Sequence, residues 1–348
     1  MRIKTILIAA ALGAGLPLAG LQIPALAQAG GLSQSGFESY LPALRAEAQR
    51  AGVSRATIDR VFGDLTFSSR TIELDRGQPG GSAGSSAIPP FAPYRARHVT
   101  QSRIDTGRQR YAANAARLNE IGRRYGVPPA VLVAIWGKES SYGRVMGDFD
   151  LLNSLASLAY EGRRRDLFTR EFVATLQMMD RGFPRSALKG SWAGATGQSQ
   201  FLPSVYIRLA VDGDGDGRAD IWGSQADALA SIAIYLRNAG WRPGQPWGVA
   251  ATVPAGLNRA SLANRLRAPR CPAVHARHSR WMTVAEWRRL GVVPQSAIPD
   301  TAMASLFEPD GPGRGAWLLT TNYRTILDYN CSNFYALTVG LLADSIGR

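Results

Sequence analysis

Glu139 is the residue of this chain best placed to do acid chemistry. It lies in GVPPAVLVAIWGKESSYG, residues 126–143. Pro128 and Pro129 suit a helix start, where a missing N–H costs nothing. Val131, Leu132, Ile135 and Trp136 then recur at helical spacing. Glu139 follows Leu132 by seven residues, Ile135 by four and Trp136 by three, so it projects from the apolar side. Gly143 is positioned to end the helix. Two readings stand: a helix-end carboxylate that turns to solvent or an Arg, and a desolvated acid whose raised pKa lets it donate a proton near neutral pH.

Three further stretches carry polar groups at telling spacings. GSWAGATGQSQFLPS, residues 190–204, has glycines at 190, 194 and 197, which let a ligand approach the backbone. Ser191, Gln198, Ser199 and Gln200 add neutral donors and acceptors, and Trp192 a flat apolar face. That mixture suits a sugar better than a phosphate; the competing reading is a Gly-rich connector. DGDGDGR, residues 212–218, fits the first half of an EF-hand loop. Asp212, Asp214 and Asp216 stand at positions 1, 3 and 5, Gly217 at 6, and the Arg218 backbone carbonyl at 7. Carboxylates this close repel unless a cation sits among them, so Ca²⁺ is the expected occupant. Position 12 is Gly223 where a bidentate Glu is usual. Asp227 is either the missing ligand or, with Ser224, a capping box for the next helix. The fourth stretch is YNCSNFY, residues 329–335, at the start of the last helix. Its Asn330 and Tyr335 either face a cleft or serve as a cap and a core aromatic.

The elements that must position these groups are mostly helical. Periodic segments run from Phe37 to about Leu65 in two helices, from about Ser102 through Tyr125, and over 151–160 and 164–179. Residues 77–93 are dense in Gly, Ser and Pro and read as a loop. From about Trp247 short segments broken by Pro and Gly suggest a small mixed subdomain, with strands expected in 250–253 and 316–320. Tyr335 to Ile346 is helical again and can pack back on the main body.

The chain opens with Arg2 and Lys4, an apolar run, and Ala25-Leu26-Ala27 as a cleavage site. Residues 1–27 are therefore expected to be a secretory signal peptide. Gly13, Gly15, Pro17, Gly20 and Pro24 interrupt the run and weaken a membrane-anchor reading. Leu18-Ala19-Gly20 would suit a lipoprotein signal, but Leu21 stands where the lipidated Cys is needed. An exported, periplasmic, soluble mature chain is expected, with no transmembrane segment. The formal charge of +14 falls to +12 without Arg2 and Lys4. A basic surface attracts polyanions, and export makes nucleic acid the poorest candidate among them. Three His and no Cys-His spacing argue against zinc. Cys271 and Cys331 are the only cysteines; an oxidising compartment permits a disulfide, and the spacing leaves that pairing open.

In their order and spacing, AIWGKESSYG, GSWAGATGQSQFLPS, DGDGDGRADIW and YNCSNFY resemble the lytic murein transglycosylases of the membrane-bound lytic transglycosylase B type, glycoside hydrolase family 103. The likeness extends to Thr71–Arg76 with Gln78 and Pro79, and to Trp281–Trp287. It implies a mainly α (α+β) fold: a lysozyme-like core with an added helical domain and a small β subdomain. The expected division is an N-terminal helical region at 28–125 and a catalytic core at 126–245. Within that core lie a helical insertion at about 150–186 and the Ca²⁺ loop at 212–227. A β-containing part at 246–318 follows, then a returning segment at 319–348. The resemblance implies that Glu139 is the sole catalytic acid/base, that Ser191, Gln200, Tyr235, Asn330 and Tyr335 line a glycan cleft, and that the Asp loop binds Ca²⁺ structurally. The family's loop runs to an Asp one position earlier than Asp227, so a one-residue insertion is inferred. Gly80 and Gly81 open an insertion where Glu-Phe is usual. Lys138 replaces an often apolar residue and would press the neighbouring carboxyl's pKa downward if it folds back.

Most glycosidases use two carboxylates, and Asp148 and Asp150 are the nearby candidates. The resemblance gives neither a role. It implies cleavage of the MurNAc-β-1,4-GlcNAc bond of peptidoglycan with substrate assistance and a 1,6-anhydromuramoyl product. The alternatives are a hydrolytic muramidase on the same cleft and a non-catalytic, Ca²⁺-dependent wall-binding module.

Overall fold

The structure, a computed structural model, describes residues 31–77, 89–265 and 267–348. The expected leader lies outside the described residues, as does most of the Gly/Ser/Pro-rich stretch. That stretch ends earlier than expected: a helix starts at Phe91 and runs to His98 with Pro93 in its first turn, a place that tolerates proline.

The Glu139 helix spans Pro129–Ser140 and is buried on nearly every side, not along one face. Four helices enclose it: Gln101–Ala113, Ala115–Tyr125, Gln225–Asn238 and Asn333–Ile346. It ends before Gly143. Ser141, Tyr142 and Gly143 all adopt left-handed backbone, with φ of 51°, 62° and 82°. Such φ in two non-glycine residues is strained, and side-chain bonds hold it. Ser140 Oγ donates to Gln198 O (2.7 Å) and accepts from Gly143 N (3.0 Å), while Tyr142 Oη donates to Arg103 O (2.7 Å). The Tyr142 ring stands edge-on to Trp136, centroids 5.6 Å apart.

The N-terminal region is not one unit in space. Gln34–Arg50, Arg55–Phe62 and Ser69–Arg76 pack on Leu151–Glu161 and Arg165–Asp180, so the helical lobe interleaves two distant segments. Tyr160 lies against Phe37, Tyr40 and Phe67. Asp75, 1% exposed, takes Arg163 and Arg164 as partners. The helices Gln101–Ala113 and Ala115–Tyr125 instead pack on the Glu139 helix, and Phe91–His98 packs on Asn333–Ile346.

Residues 248–319 build a five-stranded antiparallel sheet. Its order is Met282–Thr283, Met303–Phe307, Trp317–Leu319, Gly248–Thr252, Val293–Pro294. Alternate residues point to opposite faces. Phe307, Trp317 and Leu319 join the main core, whereas Ala304, Leu306 and Leu318 meet Trp287 in a second, smaller core. Thr320 then caps helix Thr321–Tyr329, an element not expected from the sequence, which shows a helix only from Tyr335. Cys271 and Cys331 form a disulfide with Cα atoms 5.5 Å apart. It settles the open pairing and ties residue 271 to the turn before Asn333–Ile346.

A Cβ on Gly137 would lie 2.5 Å from the Tyr142 ring, whose hydroxyl and backbone are both fixed. Gly137→Ala is therefore expected to cost about 1–3 kcal/mol and lower the melting temperature in a calorimetric scan. An unchanged melting temperature would show that Tyr142 is free to move.

Candidate active site around Glu139

Glu139 is 7% exposed, and Tyr335 Oη donates to its Oε1. Burial raises its pKa from 4.5 to about 7, against the opposing pull of the Tyr335 hydroxyl and the Lys138 charge. The carboxyl faces an aromatic enclosure. It pushes the pKa values of Tyr94, Tyr329 and Tyr335 upward, in each case adding to burial. Tyr335 is held at its helix start by Ser332, whose Oγ accepts the Tyr335 N–H (3.3 Å). Asn333 anchors the same turn, bonded to His278 (2.7 Å) and, through its carbonyl, to Tyr323 Oη (2.8 Å).

The loop 190–201 closes on the end of the Glu139 helix. Trp136 Nε1 donates to Gln198 Oε1 (3.0 Å), and Gln198 Nε2 to Trp222 O (3.0 Å). Gln198 is thus spent on the scaffold. Ser191 Oγ accepts from Ala195 N (3.0 Å), which tightens its turn and leaves the hydroxyl proton available. Gln200 sits at φ 50° and donates to Met146 O (3.0 Å) and Gly197 O (2.9 Å). Its Oε1 is buried without a partner among the described residues. A Cβ on Gly147 would strike Gly190 O at 2.2 Å, so the backbone at Gly147 lies directly against Gly190 and Ser191. Both predicted residues of this loop therefore border the segment that follows Glu139.

The remaining two candidates reach the site through Tyr329, a residue to which the sequence pattern assigns no role. Tyr329 Oη donates to Ser199 O (2.6 Å), and its ring lies 4.7 Å from that of Tyr235. Tyr235 spends its hydroxyl on Asp328 O (2.6 Å), so it backs Tyr329 as a core aromatic. Asn330, 7% exposed, follows Tyr329 as the C-cap of its helix. Neither nearby aspartate joins Glu139. Asp150 caps helix Leu151–Glu161 and pairs with Arg185 (2.9 Å), and Asp148 is exposed.

The Asp loop brings carboxylate oxygens of Asp212, Asp214 and Asp227 within 4.8 Å of one another. Asp216 lies outside that triad, its Oδ1 accepting from Arg218 N (2.8 Å). Asp227 is fully buried. It accepts from Gly213 N (2.7 Å) and Asp220 N (2.6 Å) and so ties both ends of the loop together. Only half of the expected capping box is present: Ser224 Oγ accepts from Asp227 N (3.2 Å) while the Asp227 carboxylate turns to the loop.

The profile described as Transglycosylase SLT domain matches residues 36–344. The chain belongs to this family. It is a family of enzymes. This SLT-domain chain is 32% identical over 271 residues to the membrane-bound lytic murein transglycosylase B of Escherichia coli K12, covering 75% of this chain and 70% of that protein. It is similar to the structure of SltB3 from Pseudomonas aeruginosa in complex with NAG-anhNAM-pentapeptide, with TM-score 0.79, 40% identity, and 89% and 79% of the two chains covered. It also resembles the Escherichia coli lytic transglycosylase Slt35 in complex with calcium, with TM-score 0.72, 28% identity, and 90% and 93% covered. These likenesses bear out the mainly helical, lysozyme-like SLT fold with its small sheet. No helix among the described residues is long and apolar enough to cross a membrane.

The raised pKa of Glu139 makes a stability prediction. The folded chain keeps this proton up to about pH 7, whereas the unfolded chain releases it near 4.5. Unfolding free energy therefore falls as pH rises between those values. Glu139→Gln removes the penalty and should stabilise the protein by about 3 kcal/mol above pH 7, with little gain at pH 4. Melting curves of both proteins across that range check it; an equal gain at every pH would contradict burial as the cause.

Proposed function

We propose that this chain is a peptidoglycan lytic transglycosylase in which Glu139 alone supplies acid and base. The observation that carries the reading is a water-starved carboxyl at the end of an enclosed helix. Its proton is balanced near pH 7, and no other carboxylate bears on it among the described residues. A group with pKa near the working pH serves both halves of a proton relay.

In the first half Glu139 protonates the oxygen that joins N-acetylmuramic acid to N-acetylglucosamine. As the C1–O bond breaks, the muramoyl N-acetyl group stabilises the positive anomeric carbon. In the second half the Glu139 carboxylate takes the proton from the C6 hydroxyl of the same sugar, and that oxygen closes on C1. The product is a 1,6-anhydromuramoyl end, no water is consumed, and Glu139 regains its proton. Tyr335 steadies the carboxylate between the two halves. Ser191, Gln200 and Asn330 supply neutral polar groups for the glycan, with Tyr235 supporting Tyr329 behind them. General acid catalysis of this kind is worth about 10²–10⁴-fold, so positioning by these contacts carries the remainder. The anhydro sugar bound in the similar SltB3 structure supports this product. The leader-like residues 1–27 and the surplus of basic side chains support export to the periplasm and attraction to an acidic wall polymer.

The Asp loop fits a calcium ion. Asp212, Asp214 and Asp227 offer hard oxygens in one place, the donor type this cation takes, and none of the three forms an ion pair among the described residues. With the Arg218 carbonyl they would hold Ca²⁺ as a structural clamp remote from proton transfer. The similar Slt35 was solved with calcium, which supports the assignment.

Purified sacculi provide the test of the reaction. The wild-type chain should release muropeptides lighter by one water than the hydrolytic products, and Glu139→Gln should bind sacculi but release at least 10²-fold less. Reducing ends in the wild-type products would instead identify a muramidase, and undiminished release by the variant would place the acid elsewhere. For the loop, free Ca²⁺ at about one hundred times its dissociation constant should stabilise the fold by about 2.7 kcal/mol, reversed by a chelator. Identical melting with Ca²⁺ and with chelator would make it a plain surface turn.

A further inference from the structure

We propose that Lys138 is a positioning residue that sets the proton balance of Glu139 through the ring of Tyr335. The inference rests on Glu139 being the catalytic acid. Successive helical residues project roughly 100° apart, so Lys138 does not face the carboxyl beside it in sequence. Its Nζ instead sits 5.1 Å from the centroid of Tyr94 and 5.5 Å from that of Tyr335. Tyr335 therefore carries an ammonium on its ring while its hydroxyl donates to Glu139 Oε1. A cation on an aromatic ring is attracted to its π-electrons. Drawing electron density from a phenol strengthens its O–H as a donor, and a stronger donor favours the carboxylate over the acid.

Packing alone does not account for a lysine here. Lys138 forms no ion pair among the described residues, and Arg103 adds a repelling cation. An uncharged side chain of similar length would fill the space without the cost of burying an ammonium. The surrounding groups leave this pair as the titrating one. Glu139 is faced by Tyr335, Tyr329 and Tyr94 from three helices, and Lys138 by Tyr94, Tyr335, His98 and Arg103. Tyr94 is pushed up to about 12, and Tyr329 and Tyr335 well above 10. His98, its ring 4.1 Å from Tyr94, is pushed down to about 3. All four stay neutral between pH 5 and 9. Burial brings Lys138 down to about 7 and Glu139 up to about 7, so the two exchange protons in one window. While charged, Lys138 eases release of the Glu139 proton; once neutral, it lets Glu139 hold that proton to higher pH.

The test is the pH dependence of kcat/KM on soluble glycan strands from pH 5 to 9, for wild type, Lys138→Met and Lys138→Arg, with melting temperatures to confirm folding. Lys138→Met should move the alkaline limb up by about one pH unit. Lys138→Arg, charged throughout, should place it below the wild-type position. Limbs that coincide in all three proteins would overturn the proposal and leave Lys138 a packing residue. Should the Met variant fail to fold, the Arg variant decides alone, since a limb equal to that of wild type is the overturning result. An inactive Glu139→Gln with unmoved limbs refutes this inference only; an active Glu139→Gln refutes the assignment of the acid.

Discussion

Removal of one carboxyl from water is the constraint on which the rest of the structure depends. Glu139 stands on a helix with no solvent face, and burial outweighs the two groups that favour its ionisation. A buried acid is costly unless its neighbours share the charge that forms when the proton leaves. Tyr335 gives that charge a hydrogen bond at no cost in net charge, and Lys138 adds a distant positive field. The balance of the three keeps the proton transferable. A stronger ion pair would fix Glu139 as a carboxylate, and a purely apolar pocket would fix it as an acid.

The scaffold exists to hold this balance still. Ser140 and Gln198 link the helix end to the 190–201 loop, and strained backbone at Ser141, Tyr142 and Gln200 lies at the same junction. Strain of that kind persists only where surrounding contacts over-determine it, and the Tyr142–Arg103, Ser140–Gln198 and Gln200–Met146 bonds do so. The sheet contributes from a distance: Trp317 and Leu319 lead through Thr320 into the two helices that deliver Tyr329 and Tyr335.

Local pattern made part of this readable. The spacing of Glu139 from Leu132, Ile135 and Trp136 placed the carboxyl on the buried side, and the Asp212–Asp216 run marked where carboxylates would gather, with Asp212 and Asp214 in the cluster and Asp216 outside it. Alternatives that turned on distance were not readable. Whether Asp227 capped a helix or joined the loop depended on where Gly213 and Asp220 lay. Whether Cys271 met Cys331 depended on a sixty-residue separation closing in space. Tyr94 gave no local signal because it follows a Gly/Ser-rich stretch and meets Glu139 only after two helices turn back. The packing of Tyr160 on Phe37, Tyr40 and Phe67 was unreadable for the same reason, since sequence order keeps these segments apart. Strand Met303–Phe307 escaped notice because both its faces are buried, so apolar residues do not alternate with polar ones.

The partner of the acid comes 196 positions after it. At about 5–20 residues per second of synthesis, Glu139 waits roughly 10–40 s before Tyr335 has even been made. Until then the carboxyl lacks the helix that helps keep water from it, and a glutamate left in water is ionised at neutral pH. A nascent or shortened chain that stops before this helix consequently lacks both the phenol that bonds the carboxyl and the segment that closes the core around it.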